Sequence, residues 1–223
     1  MSGCSPTFAP HEICLYCGEH SLWFEHPDLG PSCDVVALPF ERPTSCLDFM
    51  HKAANRVSKD NIPIELGCTL FVIGFPHAIS VGFGLLLWKS GCIASEPPYH
   101  VRLAGQLHGY CGLAGGKNIP AFFVDSQTRS GMSGSPVLAR FYGSWDQTDP
   151  YRKVDPEESG FWERDGVALW GSQGTQFIGC HSGRAGKDEN EASLGLCWRT
   201  NVIEEVCKAR KQAKNPHFLT VIR

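Results

Sequence analysis

Seven short apolar runs, punctuated by Gly and Pro, most constrain what this chain of 223 residues can become. They lie at Asp34 to Phe40, Cys68 to Phe75, Val81 to Trp88, Pro120 to Val124, Ser135 to Phe141, Gln176 to Cys180 and Leu194 to Trp198. Runs of this length, alternating or continuous in apolar character, fit strands, and the Gly and Pro between them fit tight turns. The 24 Gly and 15 Pro, with 13 Phe and 6 Trp against only 3 Met, argue the same way. The chain is therefore expected to be mainly β, and barrels or sandwiches reach this length either as one unit or as two.

Helical pattern is scarce. Ser45 to Ser58 has room for a short helix but only a weak period. The clearest helix is the last, where Asn201 can cap, Glu204 stands three residues on as in a capping box, and Val202, Ile203, Val206 and Cys207 form an apolar stripe. Between Phe141 and Val167 the chain is polar, Pro- and Gly-punctuated and aperiodic, which predicts a long surface loop joining two strands.

Charge and cysteine use narrow the partners. A formal net charge of -3, with no cluster of Lys and Arg, leaves no positive field for a phosphate backbone, so nucleic acid is not an expected partner. The beginning, Met-Ser-Gly-Cys-Ser-Pro, has no basic region followed by an apolar stretch, and no run reaches the roughly eighteen apolar residues of a membrane span. A cytoplasmic protein without a membrane partner is expected. Eleven scattered cysteines, an odd number, suit reduced thiols better than a disulfide framework, and Cys33 reads as a small buried residue. Cys14, Cys17 and His20 have metal-like spacing, but no second pair completes four ligands. Asp188, Glu189 and Glu191 read as a solvated acidic turn, and neither a metal nor a cofactor is expected.

The segment that carries chemistry is Gly131-Met132-Ser133-Gly134-Ser135-Pro136. A serine hydroxyl is a weak nucleophile, so it needs a base for its proton and backbone N–H donors for the oxyanion that attack creates. Here Gly131 can present its N–H beside that of Ser133, Gly134 leaves the attack face open, and Pro136 starts the next apolar run. The hexapeptide alone is equally compatible with an ordinary turn, but it sits between Phe122-Phe123-Val124-Asp125-Ser126 and Pro136-Val137-Leu138-Ala139.

That strand, loop, strand setting resembles the nucleophile loop of chymotrypsin-like serine peptidases. Asp34-Val35-Val36-Ala37-Leu38-Pro39 is similar to the segment bearing the triad aspartate. Phe71-Val72-Ile73-Gly74-Phe75-Pro76 resembles the strand that enters the second barrel, and Cys180-His181-Ser182-Gly183-Arg184 the strand that aligns substrate. Trp88 to Pro97, Val124 to Pro136 and Leu22 to Pro27 look like the microbial trypsin-like peptidase-domain branch. The resemblance runs from about Leu15 to about Cys207. It implies an all-β, chymotrypsin-like double β-barrel, here with the first barrel incomplete, plus a C-terminal α-helix. Residues 1–66 would be a remnant of the first barrel with Asp34, 67–200 the second barrel with Ser133 and the pocket, and 201–223 the helix and tail.

By the same resemblance Ser133 is the nucleophile, Asp34 orients a histidine, and the N–H groups of Gly131 and Ser133 form the oxyanion hole. Gln127, His181, Ser182, Gly183 and Arg184 would meet a protein or peptide substrate. Gln127 stands where an aspartate selects basic residues, so a Lys or Arg preference is not supported, while His181 before Ser182 suggests acceptance of Glu or Asp through a cationic imidazole. The histidine itself is missing. The family order is His, Asp, Ser, with roughly 45 residues between the first two. Only His11, His20 and His26 precede Asp34, none in a matching setting, and His11 alone has room. The expectation is a chain that begins inside the first barrel, and either a peptidase whose base lies elsewhere or an inactive peptide-binding homologue.

Overall fold

The computed structural model of the chain describes residues 13–18, 20–40, 53–57, 61–82, 84–102, 118–146, 148–149, 159–160, 163, 167–184 and 194–214. Its strands are β1 Tyr16–Cys17, β2 His20–Ser21, β3 Phe24–Glu25, β4 Val36–Ala37, β5 Thr69–Gly74, β6 Leu87–Ile93, β7 Val101–Arg102, β8 Asn118–Ile119, β9 Ala121–Asp125, β10 Pro136–Asp146, β11 Val167–Arg184, β12 Leu194–Arg199 and β13 Lys211–Gln212. Among the described residues two α-helices join them, the single turn α1 Ala54–Val57 and the longer α2 Thr200–Ala209. No described helix is long and apolar enough to cross a membrane.

Six strands close a barrel in the order β10-β11-β12-β9-β6-β5, with β5 returning to β10 through Val137↔Val72 and Arg140↔Thr69. Alternation along β5 and β9 sends Leu70, Val72, Phe122 and Val124 inward, where they meet Ile93, Val137, Ile178 and Met132 in the barrel core. A second apolar layer lies outside the barrel. There Val202 and Val206 of α2 pack with Trp198 and Leu196 of β12, and with Cys33 and Val35 beside β4. Residues from all three expected segments meet in that layer. The mainly β chain with a closed barrel and a C-terminal helix is the class the chymotrypsin-like fold requires, and in place of a first barrel the described residues form the three-stranded sheet β13-β3-β4.

Several sequence expectations change in detail. The run Val81 to Trp88 is not a strand: Val81 and Leu85 form one isolated bridge, and the strand begins at Leu87 and continues to Ile93. Leu85, Leu86 and Trp88 are exposed, so their apolar character did not report burial in a sheet. Of Asp34 to Phe40 only Val36 and Ala37 pair, against Glu25 and Phe24, and Pro39 has no N–H to extend the ladder. The interval after Phe141 is partly strand, because β10 runs on to Asp146 opposite Val167, with register shifts near Val137 and Gly143 that break the period. The helix within Ser45 to Ser58 is only the four residues of α1.

At the last helix the capping box is not formed. β12 runs directly into α2, so Arg199 is the N-cap with no side-chain cap bond. Asn201 lies inside the first turn and donates to Glu205 at 3.2 Å, while Glu204 accepts from Lys208 at 2.8 Å. Val202 and Val206 are buried as expected, but Cys207 is exposed.

The fixed partner of α2 is His26. Its Nδ1 accepts the N–H groups of Asp28 and Leu29 at 3.2 and 3.1 Å, which leaves the proton on Nε2, 2.9 Å from Glu205. Beyond α2 the chain returns to pair Lys211 with Glu25 and Gln212 with Phe24.

Candidate functional site

The loop between β9 and β10 is fixed by its own backbone. Of the five N–H groups from Gly131 to Ser135, three have acceptors: Met132 donates to Arg129 at 3.1 Å, Gly134 to His181 at 2.7 Å and Ser135 to Met132 at 3.1 Å. The N–H groups of Gly131 and Ser133 donate to no described residue, and both residues are exposed. Exposed and without a described protein acceptor, these two N–H groups are open to solvent or to an anionic oxygen. Met132 faces inward and is fully buried in the barrel core, so the loop is anchored by packing as well as by hydrogen bonds.

Glycine is required at Gly131. Its φ is +90°, and a Cβ there would stand 2.6 Å from the carbonyl oxygen of Phe75. On the adjoining strand, a Cβ on Gly74 would overlap the Ser135 hydroxyl. The Gly74-Phe75-Pro76 corner and the serine loop therefore press against each other with no room for side chains between them.

Three residues remote in sequence converge at the outer end of β11. Ser133 donates its hydroxyl hydrogen to the carbonyl oxygen of Ser182 at 2.6 Å, and Ser182 donates its own hydroxyl to Oδ2 of Asp34 at 2.6 Å. β10 pairs with β11 only as far as Cys180, and past it the serine loop takes over, through Gly134 and Ser135 at His181 and through the Ser133 hydroxyl at Ser182. On its other side β11 continues to pair with β12 through Gly183↔Leu196 and Arg184↔Gly195. On the β10 side no described strand pairs with Ser182 or Gly183, and the Ser182 carbonyl accepts from Ser133 instead.

His181 is buried at 2% exposure with Nε2 3.1 Å from the Thr128 hydroxyl, and burial pushes its ring down to about 4. The imidazole is neutral at pH 7, because the buried site disfavours its cation. Gln127 is exposed, whereas Thr128, one residue on, is fully buried against His181. The sequence reading missed Thr128 because Ser126, Gln127 and Thr128 are all polar, although the alternation of buried and exposed residues continues from Val124 through Ser126 to Thr128.

The described histidines, His20, His26, His77, His100 and His181, include none that hydrogen-bonds to Ser133 or Asp34. His26 is committed to α2, and His11 lies outside the described residues, as do Asp188, Glu189 and Glu191. The described cysteines are free. Burial pushes Cys33 up to about 12 and Cys180 up to about 11, so neither is a thiolate at neutral pH. The described residues contain no group of three or more His, Cys, Asp or Glu placed to hold a metal.

No family model and no curated protein matches this sequence. Solved structures that align with it include Rv3671c protease from M. tuberculosis in its active form, at 16% identity and TM-score 0.35 over 66% of this chain and 44% of that one. The same protease in an inactive form aligns at 18% identity and TM-score 0.34, over 66% of this chain and 50% of the other. This chain thus spans about half the length of the solved structures it matches.

Proposed function

We propose that this protein is serine peptidase-like, with residues 1–66 carrying Asp34, 67–200 carrying the nucleophile and pocket, and 201–223 forming the helix and tail. An extended protein or peptide substrate adds along Ser182 and Gly183 of β11 by β-augmentation. Ser133 is the attacking residue, and Gly131 and Ser133 supply the oxyanion donors. The observation that carries this reading is the junction at Ser182, which takes the Ser133 hydrogen on its carbonyl and gives its own to Asp34, each at 2.6 Å.

Attack requires that the Ser133 proton leave with a base as the oxygen bonds to the carbonyl carbon. A backbone carbonyl cannot take that proton, so hydrolysis requires an imidazole to reach Ser133, with Asp34 orienting it. A second reading, peptide binding without hydrolysis, is favoured by the lack of a described histidine hydrogen-bonded to Ser133 or Asp34.

Selection of the side chain before the scissile bond is assigned to His181 with Thr128, and with Gln127 and Arg184 at the rim. The buried, neutral ring alters how acidic side chains would be chosen. Recognition then rests on hydrogen bonds from imidazole and hydroxyl, and a carboxylate entering the pocket would itself raise the ring's proton affinity.

A fluorophosphonate probe tests the first reading. A covalent adduct that disappears in Ser133→Ala supports the peptidase. A folded protein that stays unlabelled yet binds extended peptides supports the second reading, and one that does neither sinks both.

A further inference from the structure

The turn that follows β5 does something the serine loop cannot do for itself. His77 donates its backbone N–H to the carbonyl oxygen of Ser130 at 2.7 Å. No described peptide bond is cis, and in a trans planar peptide the C=O of one residue and the N–H of the next point in opposite directions. Holding the Ser130 carbonyl toward His77 therefore turns the Gly131 N–H away from the turn, to the side where it has no acceptor among the described residues. Were that peptide to flip, the Gly131 N–H would face the turn and be lost as an anion donor.

The turn is in an uncommon conformation. His77 lies at φ 52° and ψ 31°, and Ala78 at φ 58°, two consecutive left-handed residues without a glycine. Such positions are held only where the surroundings over-determine them, and histidine tolerates them better than most residues. Here Pro76 presets the entry, Ala78 donates to Phe75 at 3.0 Å and Ile79 to Pro76 at 2.9 Å, and the Phe75 carbonyl closes on Gly131.

We propose that His77 is a positioning residue whose backbone N–H, held by the left-handed His77–Ala78 turn, sets the Ser130–Gly131 peptide so that the Gly131 N–H points at bound anionic oxygen. This rests on the peptidase-like reading of the Ser133 loop. It assigns the orienting role to the backbone and none to the imidazole.

The test compares two acetylated tetrapeptides by calorimetry, identical except that one ends in a carboxylate and the other in the corresponding alcohol. A carboxylate oxygen can accept from Gly131 and Ser133, so the wild-type protein should favour it by about tenfold, the scale of one charge-assisted hydrogen bond. His77→Gly keeps the N–H and the backbone angles and should retain that ratio. His77→Pro removes the N–H and cannot adopt positive φ, so its ratio should fall to about threefold or less, the Ser133 N–H remaining. Ala78→Val, which opposes the left-handed turn with a β-branched side chain, serves where the proline variant does not fold, and should lower the ratio likewise.

A folded His77→Pro or Ala78→Val protein that keeps the wild-type ratio overturns the proposal. If the wild-type protein binds neither peptide, the peptidase-like reading fails instead. A crystal structure of either variant then decides the positioning claim, which is overturned if the Ser130 carbonyl still faces residue 77.

Discussion

The hydroxyl of Ser182 donates to Oδ2 of Asp34 at 2.6 Å, joining residues 148 positions apart in the chain. The Ser182 side chain is buried while Asp34 is exposed, so the bond is worth most to the serine and to the local path of the chain before β4. Ser182→Ala should lower the unfolding free energy by about 1 kcal/mol, and Asp34→Asn, which keeps an acceptor oxygen, by less. Urea midpoints of the two variants check the order.

Gly131 is the position where backbone and function are hardest to separate. Gly131→Ala would force a Cβ into a φ of +90° and toward the Phe75 carbonyl. The expected outcome is a loss of about 1–3 kcal/mol, read from thermal unfolding, together with loss of any Ser133 adduct. Ser133→Ala loses only the bond to the Ser182 carbonyl and should cost less, about 1 kcal/mol at most. If the two variants melt alike, the close approach of Phe75 is not what fixes the loop.

His181 makes stability depend on pH in a defined direction. Its folded pKa of about 4 lies below the ordinary value of 6.5, so between those values the unfolded chain binds a proton that the folded chain refuses. Stability is full above pH 6.5 and falls as pH drops toward 4, by about 3 kcal/mol at the lower end. Subtracting the profile of His181→Gln from that of the wild-type protein isolates this limb from the carboxylates. A difference that is flat from pH 7 to 4.5 contradicts the burial of a neutral ring.

His26, just after β3, ties the sheet β13-β3-β4 to α2 through one hydrogen bond, donated from Nε2 to Glu205, while its Nδ1 holds its own turn by accepting from Asp28 and Leu29. His26→Ala strands two backbone N–H groups in a buried site and should lose about 2 kcal/mol. Glu205→Ala removes a half-exposed partner and should lose less than about 1 kcal/mol. Chemical denaturation of both variants gives the comparison.

What the chain's own order of residues determined is the class of fold and the loop proposed to carry the chemistry. The apolar runs Cys68 to Phe75, Pro120 to Val124 and Leu194 to Trp198 were enough to place β5, β9 and β12, because a short apolar run bounded by Gly or Pro suits a strand covered on one or both faces. The Gly-x-Ser-Gly turn likewise marked the loop whose Gly131 and Ser133 N–H groups have no described acceptor. Val81 to Trp88 misled for the same reason that the others succeeded: apolar residues report burial only when something covers them, and Leu85, Leu86 and Trp88 lie exposed. Only the tertiary structure could decide that Ser133, Ser182 and Asp34 form one chain of hydrogen bonds, that Thr128 rather than Gln127 meets His181, and that His77 holds Ser130. Each of these contacts joins residues about 50 or more positions apart, and closing the barrel is what brings them together, a long-range condition that no local pattern of residue types encodes.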